Sequence, residues 1–180
     1  MKAAWFQGLL VLGLVLLGCH LPAGSRSSDP ALEVRLLHRG TTCGGSTVSP
    51  QTTWIADRDH FREVYRRLKR AVIAAAADGV PAVDFSREAL VLVEMARKPT
   101  GGYFLELKST KARVLDDSAQ VELVWGVPAP GAMVTQALTS PCILIVLSRN
   151  SSYSRVQILD QNGRVRLTWE TGVGRSGQRN

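Results

Sequence analysis

Three cysteines and three histidines are a thin supply of reactive side chains for 180 residues. No G-x-S-x-G, H-E-x-x-H or C-x-x-C occurs, so none of the common hydrolase, zinc or redox signatures is present. The histidines are scattered. His20 lies in a polar stretch, His38 at a strand end and His60 at a helix start. His38 shares parity with Leu36 and Val34 and reads as a partly buried structural histidine. Acidic pairs such as Asp116-Asp117 sit in turn-like sequence and read as solvated. No phosphate-binding Gly-Lys-Ser/Thr occurs either. No catalytic residue, metal ligand or cofactor is therefore expected, and no nucleic acid or small-molecule substrate is implied. Internal repeats are absent too. The apolar run from Leu9 to Gly18 is too short for a comfortable bilayer span.

That run is nevertheless informative. It follows a single positive charge, Lys2, and ends in L-L-G-C-H at residues 16–20. Charge, apolar run and small Gly18 before Cys19 resemble a bacterial lipoprotein signal, 1–18, cut just before Cys19. The resemblance implies a palmitate-bearing Cys19 and membrane anchoring through two or three acyl chains, where one chain alone is marginal. Residues 19–30, rich in Pro, Gly and Ser, read as a lipidated flexible tether. His20 stands where an aspartate would signal inner-membrane retention. Outer-membrane delivery, facing the periplasm, is the expected location. Cleavage removes one basic residue and lowers the formal charge from +7 to about +6.

With Cys19 acylated, Cys43 and Cys142 are left as an even pair. An oxidising compartment favours a disulfide between them. Cys142 leads into an apolar strand, where burial would raise a thiol pKa and make it inert as a nucleophile.

The rest predicts one α+β domain at 31–170, a mostly antiparallel sheet or sandwich with one amphipathic helix, and a disordered tail at 171–180. Residues 32–38 alternate apolar and charged, as in a strand, and 52–56 form a second short strand. Phe61, Val64, Tyr65, Leu68 and Val72 recur at helical spacing, giving a helix over about 57–77. Asp57 or Asp59 caps it, and Gly79 and Pro81 end it. Arg62, Arg66, Arg67, Lys69 and Arg70 form its opposite face, read as solvated. Residues 89–97 and 142–148 are apolar almost throughout, as in strands buried on both faces. Residues 102–109 place Tyr103, Leu105 and Leu107 on one face, and 121–127 do the same with Val121, Leu123 and Trp125. Residues 154–169 read as a hairpin about Asn162-Gly163, with Val156, Ile158, Val165 and Leu167 sharing an inner face.

The glycines of K-P-T-G-G-Y, 98–103, have β pattern on both sides and no following helix. The nucleotide-binding reading fails on that context. They read instead as a hairpin loop in which Pro99 fixes one dihedral and Gly101 and Gly102 allow positive φ.

Residues 83–148 resemble the C-terminal domain of PrcB-type protease complex subunits. The likeness rests on P-T-G-G-Y at 99–103, P-x-P-G at 128–131 and T-Q-A-L-T-S-P at 135–141. It implies a non-catalytic envelope protein that binds, and stabilises or regulates, an exported protease. Partner-binding loops would then contain Lys98, Pro99, Thr100, Gly101, Gly102 and Tyr103, with Pro128, Pro130, Gly131, Thr135, Gln136, Thr139 and Pro141. K-P-T-G-G-Y is also similar to the N-P-T-T-G-Y loop of chagasin-type cysteine protease inhibitors. Lys98 and Gly101 depart from that pattern and its R-P-W motif is absent. The likeness implies an alternative, a hairpin wedge at 99–103 that plugs a protease cleft. A third reading is a structural envelope lipoprotein whose basic surface meets anionic polymer or lipid.

Overall fold

The computed structural model describes residues 31–70, 80–149 and 153–170. The expected signal sequence with Cys19, the expected tether and tail, and residues 71–77 of the expected helix lie outside the described residues. The elements are β1 (Ala31–Gly40), β2 (Gln51–Ile55), α1 (Arg58–Arg70), β3 (Glu88–Glu94), β4 (Phe104–Leu107), β5 (Lys111–Leu115), β6 (Ser118–Gly126), β7 (Cys142–Ser148), β8 (Arg155–Leu159) and β9 (Val165–Glu170).

All nine strands belong to one sheet, ordered β2-β3-β7-β1-β5-β6-β8-β9, with β4 paired to β6 beside β5. Every pairing is antiparallel except β6 with β8. The sheet curls until its end strands β2 and β9 approach. They share no ladder, but Trp54 and Trp169 stack across the seam, ring centroids 4.6 Å apart. The mostly β, one-helix architecture is as the residue pattern predicts. The sheet is a near-closed barrel, however, rather than a sandwich of two sheets.

Side chains alternate across a strand, so a strand buried on both faces needs two cores. β3 and β7 have them. Val91, Val93, Ile143, Ile145 and Leu147 point into the barrel with Leu32, Leu105, Leu123, Val156 and Ile158. Leu90, Leu92, Leu144 and Val146 point outward and are covered by Phe61, Val64, Tyr65 and Leu68 of α1. That explains the unbroken apolar runs. Asp57 caps the helix, its Oδ1 accepting from the amides of Asp59 (3.1 Å) and His60 (2.9 Å).

Four sequence expectations need correction. Residues 98–103 do not turn a hairpin, because β3 pairs with β2 and β7 while β4 pairs with β6. Arg67 is not a solvated member of the basic face. It donates to Glu94 Oε1 at 2.8 Å, and Glu94 is buried. In the β8–β9 hairpin the register shifts after Ile158 and pairs Val165 with Leu159, leaving Val165 exposed. A similar shift between Leu36 and His38 in β1 takes His38 out of the parity expected of it with Val34 and Leu36. Leu36 is exposed, Leu37 packs toward the helix-side core, and His38 is half-buried.

Candidate functional site: a platform of three interlocked loops

Three connections meet at one end of the barrel. They are residues 41–50 between β1 and β2, 95–103 between β3 and β4, and 127–141 between β6 and β7. Their backbones bond to one another as strands do. Lys98 and Thr139 exchange both amide hydrogen bonds (2.8 and 3.0 Å). The Gly101 amide donates to the Thr135 carbonyl at 2.9 Å, and the Thr139 hydroxyl to the Thr100 carbonyl at 2.9 Å. The Cys43 amide reaches both the carbonyl and the hydroxyl of Ser140, each at 3.0 Å. The Arg97 amide donates to the Thr47 carbonyl, and the Met95 amide to the Pro141 carbonyl. Satisfied in this way, long connections without regular structure hold one shape.

A disulfide joins Cys43 to Cys142, as compartment and parity suggest, and locks the first loop to the base of β7. Glu94 supplies a second lock. Besides Arg67 it accepts from Gln51 Nε2 at 2.8 Å, so helix, loop and sheet converge on one buried carboxylate. Gly45 lies against it, and a Cβ there would stand 2.6 Å from Glu94 Oε1. His38 packs beside the disulfide. Its Nε2 is buried with no partner among the described residues, and burial first, then the Lys69 charge, holds its pKa below the ordinary histidine value. Ligand atoms of His38, Cys43 and Cys142 lie within 4.8 Å of one another. With both sulfurs bonded to each other, this group offers no metal site.

The two glycines of K-P-T-G-G-Y now have separate explanations. Gly102 has φ +84°, and a Cβ on it would sit 3.0 Å from both Pro128 Cβ and Val134 Cγ1. Gly101 is buried and does not have positive φ. A Cβ there would overlap the Thr135 hydroxyl. Close approach between the second and third loops requires both glycines, and only Gly102 also needs its backbone freedom.

The predicted loop residues therefore divide. Gly101, Thr139 and Pro141 are buried and hold the loops together. Tyr103 is half-buried against the barrel core, with Lys98 Nζ 5.3 Å from its ring centroid. Thr100 and Pro128 are half-buried at the junction, while Pro99, Pro130, Gly131, Thr135 and Gln136 face solvent. Motif reading overlooked the apolar side chains that these loops expose. Val48, Val127, Met133 and Leu138 are all exposed, Met133 completely. These four are half of the large apolar side chains exposed among the described residues. Isolated exposed apolar residues are ordinary, but here four of them lie on three interlocked loops. The first loop's part in the site was also overlooked, although Cys43 within it was the available signal.

Residues 90–148 match the family model described as PrcB C-terminal. The likeness is confined to this segment, about a third of the 180 residues. That segment runs from β3 to the end of β7 and includes the second and third loops of the platform. The first loop and α1 lie before it, tied on by the disulfide and the Arg67–Glu94 pair. No curated protein and no solved structure matches the chain.

Proposed function

We propose that the protein is a non-catalytic, lipid-anchored envelope subunit that binds an exported protease through the three-loop platform and stabilises or regulates it. The observation that carries this reading is the combination of rigidity and exposed apolar surface. Loops held by disulfide, backbone bridges and a buried ion pair present Val48, Val127, Met133 and Leu138 without ordering cost on binding. The PrcB match supports a protease-complex role. The lipoprotein signal at residues 16–20 motivates the anchor.

The wedge alternative is disfavoured by the buried Gly101 and by the bonds from Lys98, Thr100 and Gly101 to the neighbouring loop. A plug needs a protruding tip, and this segment is stitched to its neighbour along one side. The structural-lipoprotein alternative has less to rest on, since the basic helix face spends Arg67 on Glu94.

A photo-crosslinking residue at position 133 or 138, in the native host, tests the proposal. An exported protease should be trapped from either position and not from exposed position 168 on β9. Equal trapping from all three positions, or trapping of no protease, refutes it.

A further inference from the structure

Beside the platform lies a cleft of about 310 Å³. Pro50 comes from the first loop, Met95 and Lys98 from the second and Val127 from the third. Trp125 of β6, Arg164 of the β8–β9 turn and Arg166 of β9 also line it. The lining thus combines apolar side chains with three cations. The volume suits one or two residues, at the small end of ligand clefts.

Its charge is unbalanced. Lys98, Arg164 and Arg166 face one carboxylate, Asp160, whose bonding is already internal. Asp160 Oδ1 accepts the amides of Asn162 and Arg164, each at 3.0 Å, and Oδ2 lies 3.5 Å from Arg166 Nη1. Burial works to raise the Asp160 pKa, but the two amides and the Arg166 charge outweigh it and hold the group ionised. Arg166 stacks over Trp125, its guanidinium carbon 4.9 Å from the ring centroid. Arg164 and Lys98 have no acidic partner among the described residues. Trp125 lines the cleft and belongs to the barrel core as well. Its indole N–H is buried and finds no acceptor among the described residues. A buried donor left unpaired is costly, and such groups call for a ligand or water.

We propose that this cleft receives the C-terminal carboxylate of a partner polypeptide ending in an apolar residue. The carboxylate meets Arg164 and Lys98. The apolar side chain lies on Met95, Val127 and Pro50. A chain terminus fits better than an internal Asp or Glu. In a terminal residue the carboxylate and the apolar side chain share one α-carbon, so both enter a single small cleft. Within an extended chain, neighbouring side chains point to opposite sides. The inference rests on the partner-binding reading of the platform, with which the cleft shares Pro50, Met95, Lys98 and Val127.

The test uses the ¹⁵N-labelled full chain and an N-acetylated tetrapeptide ending in leucine, as free acid and as amide. A third peptide, amidated at its end, carries a glutamate before the leucine. The free acid should shift the Trp125 indole N–H resonance saturably. The amide should bind about tenfold or more weakly, equivalent to about 1.4 kcal/mol for the charge-assisted contacts. Arg164→Gln should weaken the free acid comparably with an unchanged unfolding midpoint, because that side chain has no structural partner to lose. Equal binding of acid and amide overturns the proposal. Equal binding of the glutamate peptide overturns it in favour of an acidic side chain. The absence of any saturable shift at millimolar peptide overturns it outright. Crosslinking through position 133 reads the platform separately. No peptide response with crosslinking intact removes the cleft proposal alone. No crosslinking with the peptide response intact removes the platform reading alone.

Discussion

Replacing Gly102 by alanine perturbs the platform at one atom. Two costs can be separated. A non-glycine residue at φ +84° carries left-handed strain of about 1–2 kcal/mol. The new Cβ also meets Pro128 and Val134 at 3.0 Å, tighter than ordinary carbon contact. Proline cannot rotate away, so overpacking adds about 1–3 kcal/mol. The expected loss is about 2–5 kcal/mol. Gly163 provides the internal reference. It has a similar φ of +76°, and a Cβ there would meet nothing within 4 Å. Gly163→Ala should therefore cost the strain alone, about 1–2 kcal/mol. Urea denaturation of both variants measures the difference, which is the packing of the second loop on the third. Gly101→Ala is a further contrast. Its clash is with the side-chain hydroxyl of exposed Thr135, so Thr135→Ala in the same chain should restore stability. If Gly102→Ala costs no more than Gly163→Ala, the two loops do not pack as described.

Loss of the Cys43–Cys142 bond releases a loop of 99 residues, and the chain-entropy estimate for such a loop is roughly 4–5 kcal/mol; unreduced peptide mapping should recover the linked pair, and two alkylated thiols would reject it. Arg67→Ala leaves Glu94 buried with Gln51 alone and should destabilise by about 3–5 kcal/mol, whereas exposed Arg66→Ala should stay within about 0.5 kcal/mol. His38 is harder to protonate folded than unfolded, so the unfolded state binds more protons below about pH 6.5. Stability should fall as pH drops from there toward the lowered folded value, and His38→Gln should flatten that part of the profile measured by urea denaturation.

Local pattern was enough for what each element is. β3 and β7 read as doubly buried because no polar residue interrupts Leu90 to Val93 or Ile143 to Leu147. α1 read as amphipathic because Phe61, Val64, Tyr65 and Leu68 share a stripe. Asp116-Asp117 is indeed a turn between paired strands, with φ +47° and +60°. Partnership was harder to read. Two strands flank residues 98–103, and adjacency in sequence suggested a hairpin. The partner of β4 is instead β6, set by how the curled sheet closes. One-residue register shifts in β1 and at the end of β8 move His38 and Val165 off their expected faces, and alternation of hydrophobicity carries no mark of such a shift. Arg67 sits among five cations on a helix, and only the fold brings buried Glu94 to it. The platform was half legible. P-T-G-G-Y and T-Q-A-L-T-S-P were found as motifs. That they bond to each other, and that Gly101 is a contact rather than a turn, follows from tertiary geometry alone.

The proposed role of the platform's apolar residues, to sustain an exported protease, is tested by the half-life of such a protease in the native host carrying the wild-type chain or the Met133→Asp, Leu138→Asp double variant. Both side chains are exposed, so the variant should fold normally and keep its own abundance. The protease should be lost severalfold faster beside the variant than beside the wild type, as beside a deletion. A protease equally long-lived with wild type and variant, while the deletion destabilises it, would contradict the claim and place the contact elsewhere on the molecule.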